Sequence, residues 1–205
     1  MNDHPLTTNQ CVVYIDFENL GYKRALALLW QIRIEEGSLI CKVYSHRPVH
    51  KLQKVSAWFS DVLEIYKHAD GTPNASDRRI QTDIEDLSFW EPDIRFYILS
   101  GDTVFKSITT TLGHADTFIQ QRGLRPFSLS KADIHIITKA VECLHSQLKC
   151  HQGVRLAQLG QALRQIKGFN YQIMGASSLT MLLQLLSNRV EIFDGCAKRK
   201  PGIHL

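Results

Sequence analysis

The chain has no run of about eighteen apolar residues, so no transmembrane helix is expected. Met1-Asn2-Asp3-His4-Pro5 lacks a basic patch followed by an apolar core, so no secretory leader is expected either. Cysteine is sparse: Cys11, Cys41, Cys143, Cys150 and Cys196 are odd in number and widely spaced. That usage speaks against a disulfide framework and for a reducing, cytoplasmic setting. Cys143, His145, Cys150 and His151 do not have the usual pairwise spacing of a structural zinc site. Internal repeats and low-complexity segments are missing too. Acid is short in one region only. Residues 139–205 hold 9 Lys/Arg against 3 Asp/Glu, a balance of +6, whereas residues 1–138 hold 15 against 17, a balance of −2. An acidic catalytic part joined to a basic part that grips a polyanion would give this asymmetry.

What is present is an ordinary globular composition, 44% hydrophobic and 21% charged, over 205 residues. The first part alternates strand and helix patterns. Residues 11–16, 38–45, 62–67, 94–100 and 124–129 read as strands. Residues 20–34, 49–59, 77–89 and 103–122 read as helices, with Ser76 placed to cap the third and Gly123 to close the last. Strands alternating with helices predict right-handed crossovers, a parallel sheet and helices on both faces. The fold class expected is α/β, a doubly wound parallel sheet ordered 3-2-1-4-5. After about residue 137 the pattern changes to short helices over 133–150, 156–166 and 177–186 and a terminal strand, Val190-Glu191-Ile192-Phe193. This fits a small winged-helix-like α+β module, with domains expected at 1–137 and 138–205.

Two of the apolar runs end in acid: Cys11-Val12-Val13-Tyr14-Ile15-Asp16-Phe17-Glu18-Asn19 and Ile94-Arg95-Phe96-Tyr97-Ile98-Leu99-Ser100-Gly101-Asp102. In an open α/β sheet, ligands gather outside the carboxyl ends of the strands. Strands one and four are neighbours in the expected order, so Asp16 and Asp102 converge there. Paired carboxylates facing a phosphate call for a cation, and oxygen donors favour Mg²⁺ or Mn²⁺. His46 with Arg47, and Lys67 with His68, follow the second and third strands and are candidate phosphate contacts.

The first part resembles the NYN family, a branch of the PIN-like nucleases, over roughly residues 10–135. The resemblance rests on Asp16-Phe17-Glu18-Asn19, similar to a strand-end D-x-x-N, and on Ser100-Gly101-Asp102-Thr103-Val104-Phe105, similar to S-G-D-x-D-F. A K-x-x-D-like element lies within Arg78-Arg79-Ile80-Gln81-Thr82-Asp83-Ile84. The resemblance implies a metal-dependent ribonuclease in which Asp16, Asp83 and Asp102 hold the metal and Asn19 positions water or substrate. Asp77, Glu85 and Asp86 compete with Asp83 for the third place. Arg78 and Arg79 flank the acidic centre as candidate nucleic-acid contacts. The chain departs from the pattern at Val104, where the family has a second acid.

The second part resembles the OST-HTH (LOTUS) module, on Val154-Arg155-Leu156-Ala157-Gln158-Leu159-Gly160-Gln161-Ala162-Leu163, Gly168-Phe169-Asn170-Tyr171, Leu182-Leu183 and Val190-Glu191-Ile192. Such modules bind RNA, which assigns phosphate contact to Arg155, Arg164, Lys167 and the tail Lys198-Arg199-Lys200. The expected partner is RNA, with DNA the other substrate the residues allow and a homodimer the expected self-association. The alternatives are a catalytically weakened NYN protein that binds RNA or regulates, and a protein-interaction adaptor.

Overall fold

Strand β1 (Cys11–Asp16) is buried along its whole length, which sets the layering of the molecule. Side chains alternate across a strand. Cys11, Val13 and Ile15 therefore enter one hydrophobic cluster, and Val12 and Tyr14 enter another on the opposite face. The first cluster holds α1 (Phe17–Glu36) and α2 (His50–Ser56). The second holds α3 (Ala75–Trp90) and α4 (Phe105–Thr111). The computed structural model describes residues 11–56, 58–67, 74–91, 93–111, 118–124, 128–149 and 153–200. His68, Cys150 and His151, singled out in the sequence, lie outside them.

Strands β2 (Leu39–Tyr44), β3 (Val62–Tyr66), β4 (Arg95–Leu99) and β5 (Ile119–Arg122) complete a five-stranded sheet in the order β3-β2-β1-β4-β5. Every pairing is parallel, with Asp16 opposite Tyr44 and Ile15 opposite Leu99. This is an α/β protein whose parallel sheet carries helices on both faces, compatible with a doubly wound fold. The strand order turns at β1 and β4, and a crevice opens there at the carboxyl edge.

One stretch differs from the sequence reading. Within the helix expected over 103–122 stand a short helix, α4, and a strand, β5 (Ile119–Arg122), which is the fifth of the sheet; residues 112–117, and 125–127 of the strand expected at 124–129, lie outside the described residues. Strand β5 is an edge strand, Ile-Gln-Gln-Arg, half-buried over its first three residues. So little apolar pressure acts on it that its pattern passes for helix. Gly123 accordingly ends a strand, not a helix, and its carbonyl accepts a hydrogen bond from Arg24 Nη2 at 3.1 Å.

The C-terminal part begins with α5 (Lys131–Gln147), which runs unbroken through residues 137–138, where the sequence suggested a boundary. It continues as β6 (Val154–Arg155), α6 (Leu156–Arg164), a 3-10 turn (Tyr171–Met174), α7 (Leu179–Leu185), β7 (Val190–Phe193) and β8 (Cys196–Arg199). The three strands form an antiparallel sheet ordered β6-β8-β7. Strand β8 was read in the sequence as a basic tail. It pairs with β7 through a tight turn at Asp194 and Gly195, both at positive φ.

The two parts share one core. Ile137, Ala140, Val141, Leu159, Met174 and Leu182 belong to the same cluster as the α1 and α2 side chains. Polar ties run alongside. Trp30 Nε1 donates to the Met174 carbonyl (3.3 Å), Trp58 Nε1 to His145 Nδ1 (2.9 Å), and Arg33 to Asn188 (2.6 Å). Arg189 donates to the Ser60 carbonyl (2.9 Å) and pairs with Asp61. At Gly175 a Cβ would stand 2.7 Å from Ile34 Cδ1, so the 3-10 turn meets α1 with no room for a side chain. No described helix is long and apolar enough to cross a membrane.

Candidate functional site

Asp16 is the last residue of β1 and is 4% exposed. Its Oδ2 accepts from Ser100 Oγ at 2.8 Å, and its Oδ1 from the Asn19 backbone N–H at 3.3 Å. Ser100 Oγ in turn accepts from the Asp102 backbone N–H at 3.0 Å. One hydroxyl thus joins the two strand-end acids. Asn19 Oδ1 accepts from the Gly101 N–H at 2.8 Å, which locks the turn after β1 to the turn after β4. A Cβ at 101 would lie 2.7 Å from Asn19 Oδ1, so a side chain there would push the Asn19 amide aside. The Asp-x-x-Asn and Ser-Gly-Asp motifs are therefore two halves of one hydrogen-bonded structure. The carbonyl oxygen of the Asn19 amide is spent on Gly101, and the amide nitrogen is the group left for a ligand.

A cleft of about 200 Å³ lies over this structure, lined by Asp16, Glu18, Asn19, Asn74, Ala75, Ser76, Asp77 and Asp102. Four carboxylates face it. Burial raises the Asp16 carboxyl above the usual range, against the pull of its Ser100 and Asn19 hydrogen bonds, with Glu18 and Asp102 adding to the rise. Asp77 is pushed up to about 6, by burial first and then by Asp16, Asp102 and Glu18. Glu18 is held from outside by His46, whose backbone N–H donates to its Oε1 at 2.7 Å and whose ring Nδ1 meets the same oxygen.

Of the acids expected from the sequence, the structure brings Asp16 and Asp102 together and leaves Asp83 apart. Asp83 takes a hydrogen bond from the Tyr44 hydroxyl and pairs with Arg79 Nε at 3.1 Å. Its side chain is 10% exposed and does not line the cleft. Asp77, a competitor in the sequence reading, stands there instead. Six residues separate the two on α3, so they face different ways around the helix. Ser76, expected as a helix cap, also differs. The helix starts after Asn74, which holds a left-handed backbone, and the Ser76 hydroxyl is buried at the cleft with no hydrogen-bond partner among the described residues. Val104 is 47% exposed and does not line the cleft; its N–H donates to Asp102 Oδ1 at 3.2 Å.

The basic candidates divide into two groups. Arg78 and Arg79 are exposed on the first turns of α3. Arg155, Arg164 and Lys167 are exposed on the C-terminal part and form no ion pair among the described residues. Sequence reasoning missed Ser76, and did not join Ser100 to Asp16. The unexpected strand β8 did carry a signal: Asp194-Gly195, directly after Val190-Glu191-Ile192-Phe193, is a hairpin dipeptide.

Among the described residues, no group of three His, Cys, Asp or Glu side chains is gathered tightly enough to hold a metal ion as it stands. The chemistry of the donor set nonetheless fits a hard cation. Its donors are oxygens, one of them the orphaned Ser76 hydroxyl, and burial together with the neighbouring carboxylates raises Asp77 to about 6, a cost that a bound cation would offset.

Fold and geometry define the class: an α/β protein with a parallel five-stranded sheet and an acidic cleft at its carboxyl edge. No family model matches the chain, and neither a curated protein nor a solved structure matches it.

Proposed function

We propose that the chain is a metal-dependent ribonuclease of the NYN, PIN-like kind, carrying a winged-helix-like module of the OST-HTH kind that recruits RNA. The observation that carries the reading is the gathering of Asp16, Glu18, Asp77 and Asp102 round one cleft at the edge where a parallel sheet binds ligands; burial first, and then these neighbours, push the Asp77 carboxyl up to about 6. Such a cleft demands a proton or a cation, and a site for phosphodiesters supplies a reason for the cation. Asp16, Asp77 and Asp102 are the residues that would hold Mg²⁺ or Mn²⁺, with Asp77 in the place that the NYN resemblance assigns to Asp83. The bound ion would lower the pKa of a water and offset charge on the departing oxygen.

The chain's own residues set the geometry. Ser100 donates its hydroxyl hydrogen to the Asp16 carboxylate while a lone pair of the same oxygen accepts from the Asp102 backbone N–H. Asn19, pinned through Gly101, turns its amide N–H groups toward a phosphate oxygen. Arg78, Arg155, Arg164 and Lys167 supply backbone contacts that add affinity without reading sequence.

The test is labelled RNA with Mn²⁺, comparing the wild type with Asp16→Asn, Asp77→Asn and Asp102→Asn. Loss of cleavage in all three is expected, by roughly a hundredfold or more. Cleavage at the wild-type rate in all three sinks the proposal. A second reading, an RNA-binding protein without cleavage, is favoured by Val104 and by the hydrogen bonds that already satisfy Asp16. RNA binding without cleavage in the same assay would select it.

A further inference from the structure

Beside the acidic cleft lies a second pocket of about 380 Å³, lined by Tyr44, Tyr66, Lys67, Ala75 and Arg79. We infer that it takes the base and phosphate of a nucleotide flanking the phosphodiester held in the cleft, an inference that rests on reading the cleft as a nucleic-acid site.

The placement follows from register. Asp16, Tyr44 and Tyr66 stand opposite one another at the ends of β1, β2 and β3. Adjacent strands lie about 4.8 Å apart, so Tyr66 is about 10 Å along the sheet edge from Asp16. Ala75 lines both pockets, and nothing in its side chain separates them. A single strand crossing the carboxyl edge of the sheet passes from one to the other.

The chemistry of the two pockets is complementary. The cleft is lined by carboxylates, which repel the phosphates on either side of the one being handled. The second pocket has no acid in its lining. Its wall is the Tyr66 ring, backed by the buried Tyr44 ring on which it stacks at 4.8 Å and 8°. Tyr66 belongs to β3, the edge strand, and among the described residues no further strand covers its outer side. The Tyr66 hydroxyl donates to Glu64 Oε2 at 2.6 Å, which fixes the ring. Two cations belong to the same lining: Lys67, and Arg79, which is paired with Asp83 and whose guanidinium carbon is 5.9 Å from the Tyr66 centroid. Flat π surface with adjacent cations is how single-stranded nucleic acid is held without reading its sequence. The volume suits a nucleoside.

The experiment separates stacking from charge. The probes are a short fluorescein-labelled oligoadenylate and an abasic oligomer of the same length, their affinities measured by anisotropy without added divalent ion. Wild type is expected to prefer oligoadenylate. Tyr66→Leu is expected to weaken oligoadenylate binding about tenfold and leave the abasic oligomer unchanged. Tyr66→Phe, which keeps the ring and loses the hydroxyl, is expected to match wild type. Lys67→Gln is expected to weaken both probes alike and to lower the salt dependence. Oligoadenylate binding that is equal in wild type, Tyr66→Leu and Lys67→Gln overturns the inference, as does a wild type that binds neither probe. Cleavage with Mn²⁺ is scored separately. A wild type that cleaves while Tyr66→Leu binds normally rejects the pocket and keeps the ribonuclease. One that never cleaves, with Tyr66→Leu weakened as expected, rejects the ribonuclease and keeps the pocket.

Discussion

At Gly101 a methyl group would stand 2.7 Å from the Asn19 amide oxygen, and that oxygen is what ties the two strand ends together. Gly101→Ala is therefore expected to cut RNA cleavage by about tenfold to a hundredfold through displacement of Asn19 and Asp102. Its melting temperature should stay close to wild type, because the turn is at the surface; steady-state cleavage and calorimetry check the two halves. Asp77 makes a second prediction with a definite sign. Its folded carboxyl, at about 6, holds a proton more tightly than the unfolded group at 3.8. The native state then binds more protons across that window, so stability falls as pH rises through it. Asp77→Asn removes the loss. Without divalent ion at pH 7.5, the variant is expected to melt roughly 2 °C above wild type, a difference that vanishes below about pH 4. Added Mn²⁺ should raise the wild-type melting point and leave that of the variant unmoved. Asp16 and Asp102 were legible as a pair because each closes an apolar run and the two runs are neighbours. Asp77 was not separable from Asp83, since the choice depends on the phase of α3 and on Tyr44, 39 residues away, claiming Asp83.

Helix α3 is clamped to the sheet by that claim. The Tyr44 hydroxyl and Arg79 both engage the Asp83 carboxylate, and Tyr14 donates to its backbone carbonyl at 3.4 Å. Asp83→Ala strands a buried tyrosine hydroxyl and is expected to cost about 1–3 kcal/mol in urea unfolding. Cleavage per folded molecule should persist, the opposite of what Asp77→Asn should give. The central elements could be read from sequence because burial on both faces forces continuous apolar runs, as in β1 and β4. Edge elements escape this pressure. β5 carries Ile119 and three polar residues, so its half-buried backbone leaves almost no trace. β8, Cys196-Ala197-Lys198-Arg199, is hidden by its charges, and only the Asp194-Gly195 turn betrays it.

The molecule as a whole has a single continuous core on the α1 side of its large sheet. Helix α5 packs Ile137, Ala140 and Val141 into it, and the Trp30 indole N–H reaches across to Met174. The change of pattern near residue 137 was legible as a change of architecture, from alternating strands and helices to short helices with an antiparallel sheet. The shared core was not, because an apolar helix face looks the same whether it covers its own module or a neighbour. A fragment of residues 1–137 would expose the faces of α1 and α2 that α5 covers. It is expected to bind an apolar dye such as ANS and to lose the sharp thermal transition. The full chain should unfold in one calorimetric step, with van't Hoff and calorimetric enthalpies equal; two resolved steps would show that the parts fold independently.

The Gly175–Ile34 contact has a consequence for how such a molecule would process a strand. The backbone of the 3-10 turn lies directly on the Ile34 side chain of α1, and with the shared core this ties the C-terminal part to the large sheet. On the ribonuclease reading proposed above, a gripping surface so tied to a cutting site would behave as a ruler. Products would be measured from the point of grip, and their lengths would cluster around one value set by the joint between α1 and the 3-10 turn.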